Sequence, residues 1–213
     1  MIIGTLGFIG SGKNTVAKYL VENHNFIQDS FAAALKDLLS STFSWDRTLL
    51  EGTTPESRRW RETTDTWWAT KLGIPNFTPR YAMQYIGTDV LRMHFNDNLW
   101  ILTLEKRLES FIQNNKNVVV SDVRFKNEYN MLKQYGTKFI YVENVIPEWY
   151  NIALDLNTSD YTDKEKQNII ENSSLNGVHI SEWDWVGLGY DEKIINNSTL
   201  EELFLTVDSI INK

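Results

Sequence analysis

The chain opens with Ile2-Ile3-Gly4-Thr5-Leu6-Gly7-Phe8-Ile9-Gly10-Ser11-Gly12-Lys13-Asn14-Thr15-Val16-Ala17: an apolar run, a glycine-rich turn and the first turn of a helix. The apolar run through Leu6 reads as a buried strand, and Lys13–Glu22 continues with helical periodicity. Gly7 to Lys13 fits the spacing G-x-x-x-x-G-K, with its strand and helix in the required order. Glycines let successive backbone N–H groups turn toward phosphate oxygens, and the helix N-terminus adds partial positive charge. Gly10, Ser11, Gly12, Lys13, Asn14 and Thr15 are therefore the expected cradle for a nucleoside triphosphate, with Lys13 against its outer phosphates.

Working outward, strands are expected at Ile2–Gly7, Phe26–Asp29, Asn117–Asp122, Lys138–Val142 and Glu192–Asn196. Helices are expected at Lys13–Glu22, Ala32–Ser41, Pro55–Thr70, Pro79–Phe95, Leu99–Gln113, Phe125–Tyr135 and Thr199–Ile211. This alternation predicts an α/β domain spanning 1–213, with a parallel sheet covered by helices on both faces. Ligands in such sheets bind at the carboxyl ends of the strands, where both the glycine loop and the residues after Val120 fall. Residues 44–79 and 147–185 depart from the alternation and read as insertions, one an acceptor clamp and the other a lid.

A net charge of −7 over 213 residues argues against nucleic acid as the main partner, since a phosphate backbone needs a basic face. The absence of cysteine excludes a disulfide scaffold and a thiolate zinc site. No apolar run approaches the ~20 residues that cross a bilayer, and the N-terminus lacks a signal-peptide pattern, so a cytoplasmic protein is expected. Every arginine lies between Arg47 and Arg124, and Trp45, Trp60, Trp67 and Trp68 fall in that stretch. Guanidinium groups beside flat rings suit a phosphorylated aromatic small molecule, although tryptophans also build ordinary cores.

In the helix expected at Pro79–Phe95, Thr78 is the cap and Met83, Ile86, Val90 and Met93 form the apolar stripe. Arg80, Gln84, Gly87, Thr88 and Leu91 share another face. Glycine inside a helix costs ~1 kcal/mol against alanine, so Gly87 points to the close approach of something bulky. Arg80 on a phosphate and Gln84 on a base or sugar would suit a nucleoside monophosphate; a solvated helix face with a tolerated glycine is the plain alternative. Asp122 and Arg124 follow the Val118–Val120 run, placed for Mg²⁺ and for the transferring phosphate, or else as a helix cap and a surface cation. In the Pro55–Thr70 helix, Arg58–Glu62 and Arg61–Asp65 stand at i,i+4, and Trp60, Thr64, Trp67 and Trp68 gather on another face. Arg58, Arg61 and Trp68 are candidate substrate contacts. His24, His94 and His179 are too dispersed for a metal site.

With these residues assembled, the chain resembles the deoxynucleoside monophosphate kinases encoded by tailed bacteriophages. The resemblance rests on Gly10–Thr15; Phe31-Ala32 through Leu35-Lys36; and Arg80 through Gln84 to Gly87-Thr88-Asp89. It extends to Asp122-Val123-Arg124 with Glu128, His179-Ile180-Ser181-Glu182 and Ile194-Ile195-Asn196-Asn197. The displaced hydroxyl at Thr15, after Asn14, is similar to the G-K-x-T loops of small nucleotide kinases. The resemblance implies a P-loop kinase fold with a five-stranded parallel core. It also implies transfer of the ATP γ-phosphoryl group to a deoxynucleoside 5′-monophosphate, for DNA precursor synthesis. On it, Lys13, Arg80, Asp122 and Arg124 are catalytic, and Thr15 and Asp122 hold Mg²⁺. Lys36, Glu128, Gln84, Gly87 and Thr88 meet the acceptor, and Asn196 and Asn197 lie by the adenine. The chain departs from the pattern in having no arginine after Arg124, which leaves Lys164, Lys166 or His179 for the lid. A dephospho-coenzyme A kinase and an ATP-sensing regulatory module are the competing expectations. A homodimer through Trp67-Trp68 or Trp183–Trp185 is also expected.

Overall fold

Short β-branched runs such as Val118-Val119-Val120, apolar at every position, make strands buried on both faces. In the computed structural model, which describes residues 1–212, five strands pair in parallel in the order β2-β3-β1-β4-β5, the inner three buried along nearly their whole length. They are β1 (Ile2–Leu6), β2 (Phe26–Asp29), β3 (Asn117–Val120), β4 (Lys138–Glu143) and β5 (Glu192–Ile195). In register, Ile3 lies opposite Val119 on one side and Lys138 on the other. The expected strands stand within two residues of their ends. Gly7, Asp122 and Asn196 lie just past them, in the loops at the carboxyl edge.

The sheet belongs to a unit formed by Met1–Asp29 and the chain from Ser110 onward. On one face Ile3, Val119, Ile140, Val142 and Ile194 pack with helices α1 (Lys13–His24) and α10 (Leu200–Ile211), which contribute Val16, Ala17, Leu20, Leu203, Val207 and Ile210. On the other, Phe139 stacks on Tyr129 with ring centroids 4.1 Å apart. Tyr129 is carried by α7 (Lys126–Gln134). A Cβ on Gly4 would come within 2.8 Å of the Phe139 ring, so β1 has a glycine where that ring crosses it. Residues 147–185 contain two helices that hydrophobic periodicity did not mark, α8 (Tyr150–Thr158) and α9 (Asp163–Glu171). The second buries none of its residues, which is why it leaves no apolar stripe.

Ser30–Glu109 form the second unit. It holds α2 (Ala33–Phe43), α3 (Pro55–Glu62), α4 (Thr66–Leu72), α5 (Pro79–Gln84) and most of α6 (Leu99–Gln113). The helix expected over Pro55–Thr70 is two helices. Asp65 accepts the Trp68 backbone N–H at 3.0 Å and the Trp45 indole N–H at 2.8 Å, so a new helix starts there. Asp65 is thereby an N-cap, and Glu62 pairs with Arg80. Trp68, Trp45, Phe43 and Phe77 make an aromatic core, with Phe43 and Trp45 stacked at 4.6 Å and Trp68 edge-on to Phe43 at 5.0 Å. Trp60 meets Trp45 edge-on at 5.9 Å.

The helix from Pro79 also changes character. After Gln84 it widens into a π-helix over Tyr85–Phe95, ending in the Asn96 N–H bond to the Leu91 carbonyl at 3.0 Å. The wider winding rotates the side chains away from a 3.6-residue projection. Ala82, Gly87, Thr88 and Arg92 are buried, Met83, Ile86 and Val90 are half-buried, and Met93 is exposed, so the predicted apolar stripe does not face the core. No helix among the described residues is long and apolar enough to cross a membrane.

Candidate active site

Glycine-rich backbone between β1 and α1 can adopt angles closed to other residues, and here it does: Gly7, Gly10 and Gly12 have φ of 147°, 78° and 108°. At Gly12 a Cβ would lie 2.4 Å from the Asn196 amide nitrogen, which donates to the Ser11 carbonyl at 2.8 Å. The loop after β5 thus clasps the glycine loop directly. Lys13 Nζ donates to the carbonyls of Gly7 and Phe8, each at 2.7 Å. The Ser11 hydroxyl is buried with no hydrogen-bond partner among the described residues. A loop lined with a lysine and an unsatisfied hydroxyl is chemically matched to an anion.

The loop is held from behind by its own Phe8. That ring is buried against Trp185 at 4.8 Å, Trp149 at 5.4 Å and Tyr150 at 5.9 Å. Trp183 and Trp185 are interior residues, which removes them from the expected dimer surface, whereas Trp67 is 58% exposed. Segment 147–185 is fastened to the loop at this box. Within it, Asn157 donates to the carbonyls of Trp183 and Val186, both at 2.9 Å.

Asp122 and Arg124 follow β3. Burial and the charge of Arg124 lower the Lys13 pKa from its ordinary value to about 7, against the opposing pull of Glu182 and Asp122. Burial also works against the Arg124 charge, but Glu182, by charge and hydrogen bond, with Asp122 and Glu128, holds its pKa above the usual guanidinium value. Arg124 Nη1 reaches Glu182 Oε1 at 2.6 Å. Glu128, expected to meet the acceptor, is 2% exposed and accepts the backbone N–H groups of Arg124 at 2.8 Å and Phe125 at 3.1 Å. Lys13, Asp122, Arg124 and Glu182 form one group of mutually interacting charges. Asn14 is exposed and Thr15 half-buried at the start of α1, and Asn197 is exposed beyond Asn196.

The second unit gathers a different set. Lys36, whose side chain is 11% exposed, is held by Glu51 at 2.6 Å, and Glu51 also pairs with Arg47. Burial would raise the Glu51 pKa, but Lys36 and Arg47 hold it below the usual carboxylate value. Arg80 pairs with Glu62, and Gln84 follows one turn later, half-buried. The bulky neighbour predicted at Gly87 is Leu35: a Cβ there would lie 2.5 Å from its Cδ2. The Gly87 carbonyl accepts the Trp100 indole N–H at 2.9 Å, beside the buried Thr88. Arg58 donates to the Gly52 carbonyl at 3.1 Å, and Arg61 lies against the same glycine. Trp68 donates its indole N–H to the Phe43 carbonyl at 3.1 Å, which makes it part of the unit's core.

Of the expected lid residues, Lys164 is exposed and Lys166 half-buried on α9. His179 is a helix cap: its Nδ1 accepts the Ser181 N–H at 3.2 Å at the head of the single turn Ile180–Glu182. Glu182, Phe8 and Glu51 were missed as site residues. Glu182 stood inside a quoted motif, but nothing in the sequence ties it to an arginine 58 positions away.

The deoxynucleotide monophosphate kinase family matches residues 56–148 of the chain. A protein of Acanthamoeba polyphaga mimivirus, provisionally designated a deoxynucleotide monophosphate kinase, is 31% identical over 223 aligned positions, covering 100% of this chain and 96% of its own. Among solved structures, a sugar kinase from Janibacter sp. HTCC2649 superposes with a TM-score of 0.46 at 12% identity, over 99% of this chain and 94% of that one. Dephospho-CoA kinase from Campylobacter jejuni gives 0.44 at 13% identity, over 99% and 95%. On the full-length match to the viral relative, joined to the match over residues 56–148, the chain belongs to the deoxynucleotide monophosphate kinase family.

Proposed function

We propose that the protein transfers the γ-phosphoryl group of ATP to a deoxynucleoside 5′-monophosphate, giving ADP and the deoxynucleoside diphosphate. The observation that carries this reading is the charge group at the carboxyl edge of the sheet. Lys13 and Arg124 are close enough for one to depress the other's pKa, with Asp122 and Glu182 as counter-charges. Phosphoryl transfer needs positioning and charge neutralisation more than covalent participation, and this group supplies both.

On this reading the amides of Gly10–Thr15 and the Lys13 ammonium hold the ATP phosphates, and Lys13 exchanges its two carbonyl partners for phosphate oxygens. Arg124 neutralises the charge that develops on the transferring group. Asn196 and Asn197 border the adenine. Thr15 and Asp122 are oxygen donors of the kind Mg²⁺ prefers and are the residues that would hold it, where the ion would screen the phosphate charges. Lys36, Arg80, Gln84 and Thr88 in the second unit are assigned to the acceptor, with Arg58 and Arg61 as further cations of that unit. In the wild-type chain Glu51 and Glu62 keep Lys36 and Arg80 paired until a phosphate competes for them. Lys164 and Lys166 are the cations assigned to the lid, the 147–185 segment.

The test is ADP release from ATP·Mg²⁺ against a panel of deoxynucleoside monophosphates, the matching ribonucleotides and dephospho-coenzyme A. Acceptor-dependent turnover with deoxynucleotides is expected. ADP release that ignores the acceptor, or occurs with dephospho-coenzyme A alone, would sink the reading.

A further inference from the structure

Resting on that kinase reading, we propose that Glu182 is the positioning residue for Arg124, aiming its guanidinium at the transferring phosphoryl group. Arg124 is fixed at two points. Its backbone N–H is held by the buried carboxylate of Glu128 at 2.8 Å, and its Nη1 by Glu182 at 2.6 Å, with the Ser181 carbonyl near by at 3.4 Å. Nη2 and Nε make no hydrogen bond to any described residue, so the donors that a phosphate needs are left over after the aiming contact.

The carboxylate that does the aiming stands on a braced platform. The turn Ile180–Glu182 is capped by His179, and the Trp185 indole N–H bonds the Glu182 carbonyl at 3.0 Å. Asp184 accepts the Lys126 backbone N–H at 2.8 Å, which ties the turn to the start of α7, just after Arg124. The Trp185 ring packs on Phe8 of the glycine loop. One short segment therefore touches both the loop assigned to the ATP phosphates and the arginine assigned to the phosphate in flight. An exposed ion pair contributes little, but this carboxylate is 16% exposed and faces two cations that would otherwise repel each other. A neutral residue there would leave Arg124 free to swing away from Lys13.

The experiment is a double-mutant cycle on the full-length enzyme, with wild type, Glu182→Gln, Arg124→Ala and the double variant assayed for dNMP-dependent ADP release. Glu182→Gln should lower kcat by about 10- to 100-fold, the scale on which displacing a catalytic group acts, with KM for both substrates within about threefold. Glu182→Asp should recover part of that loss. In the Arg124→Ala background the Glu182→Gln change should have no further effect on kcat, because there is nothing left to aim. Thermal melts identify any variant that does not fold, in which case Glu182→Asp replaces Glu182→Gln in the cycle. An unchanged kcat in the single variant, or an equal loss in both backgrounds, overturns the assignment and leaves Glu182 a structural brace. Wild-type enzyme inert toward every deoxynucleotide overturns the kinase reading itself, and the assignment with it.

Discussion

Lys13 is the residue whose chemistry the structure alters most. Its pKa of about 7 means that the ligand-free protein has largely lost this proton by about pH 8, whereas a bound polyphosphate demands the ammonium. ATP binding is therefore expected to take up close to one proton near pH 8 and almost none near pH 6, measured by calorimetry in buffers of different ionisation enthalpy. Uptake that does not change over this range would show that Lys13 keeps an ordinary pKa. The same linkage makes the ligand-free fold gain stability as pH rises from about 7 toward 10, because the unfolded chain binds the proton that the folded one has released. Gly12→Ala adds a Cβ that meets the Asn196 amide at 2.4 Å and forces φ of +108° on a side-chain-bearing residue. It should cost roughly 1–3 kcal/mol in denaturant melts and weaken ATP binding together. The motif alone identified Lys13 and Gly12. It gave no sign of the lysine's pKa, which depends on Arg124 being brought alongside, or of Asn196, which comes from the far end of the chain.

Among elements, the two departures from periodicity are the most informative. Asp65→Ala removes both the cap of α4 and the acceptor of the Trp45 indole N–H, and should destabilise the protein by about 1–3 kcal/mol in thermal or denaturant melts. A loss of only a few tenths would mean that the helix break does not depend on this carboxylate. The i,i+4 spacing of Arg61 and Asp65 is compatible with one continuous helix, but the Asp65 carboxylate instead accepts the Trp68 backbone N–H and the Trp45 indole N–H and so caps a new one. The π-helix was illegible for a related reason: a 3.6-residue projection assumes the winding it is used to detect. Gly87 in that helix exists for Leu35, so Gly87→Ala should cost about 1–2 kcal/mol by overpacking. The double variant with Leu35→Ala should then lose less than the sum of the two singles. Additive losses would place the crowding elsewhere.

At the scale of the whole molecule, the proposed donor and acceptor residues belong to different units of one chain. Lys36→Ala should accordingly raise KM for the deoxynucleotide by about 10-fold or more while leaving ATP affinity within about twofold, since on the proposed assignment it removes one charge-assisted phosphate contact. Equal effects on both substrates would break this division of labour. The parallel α/β sheet, the glycine loop and the lysine within it are legible in the amino-acid order alone, because strand hydrophobicity and loop spacing are local properties encoded in neighbouring residues. That order also carried enough resemblance to indicate the family. Which distant side chains meet is set by the folded arrangement alone: the charges of Glu182 and Arg124, Glu51 and Lys36, and Glu62 and Arg80, and the rings of Phe8 and Trp185. Pairings between distant residues follow from how helices and loops return to the sheet edge, and no local pattern records that return.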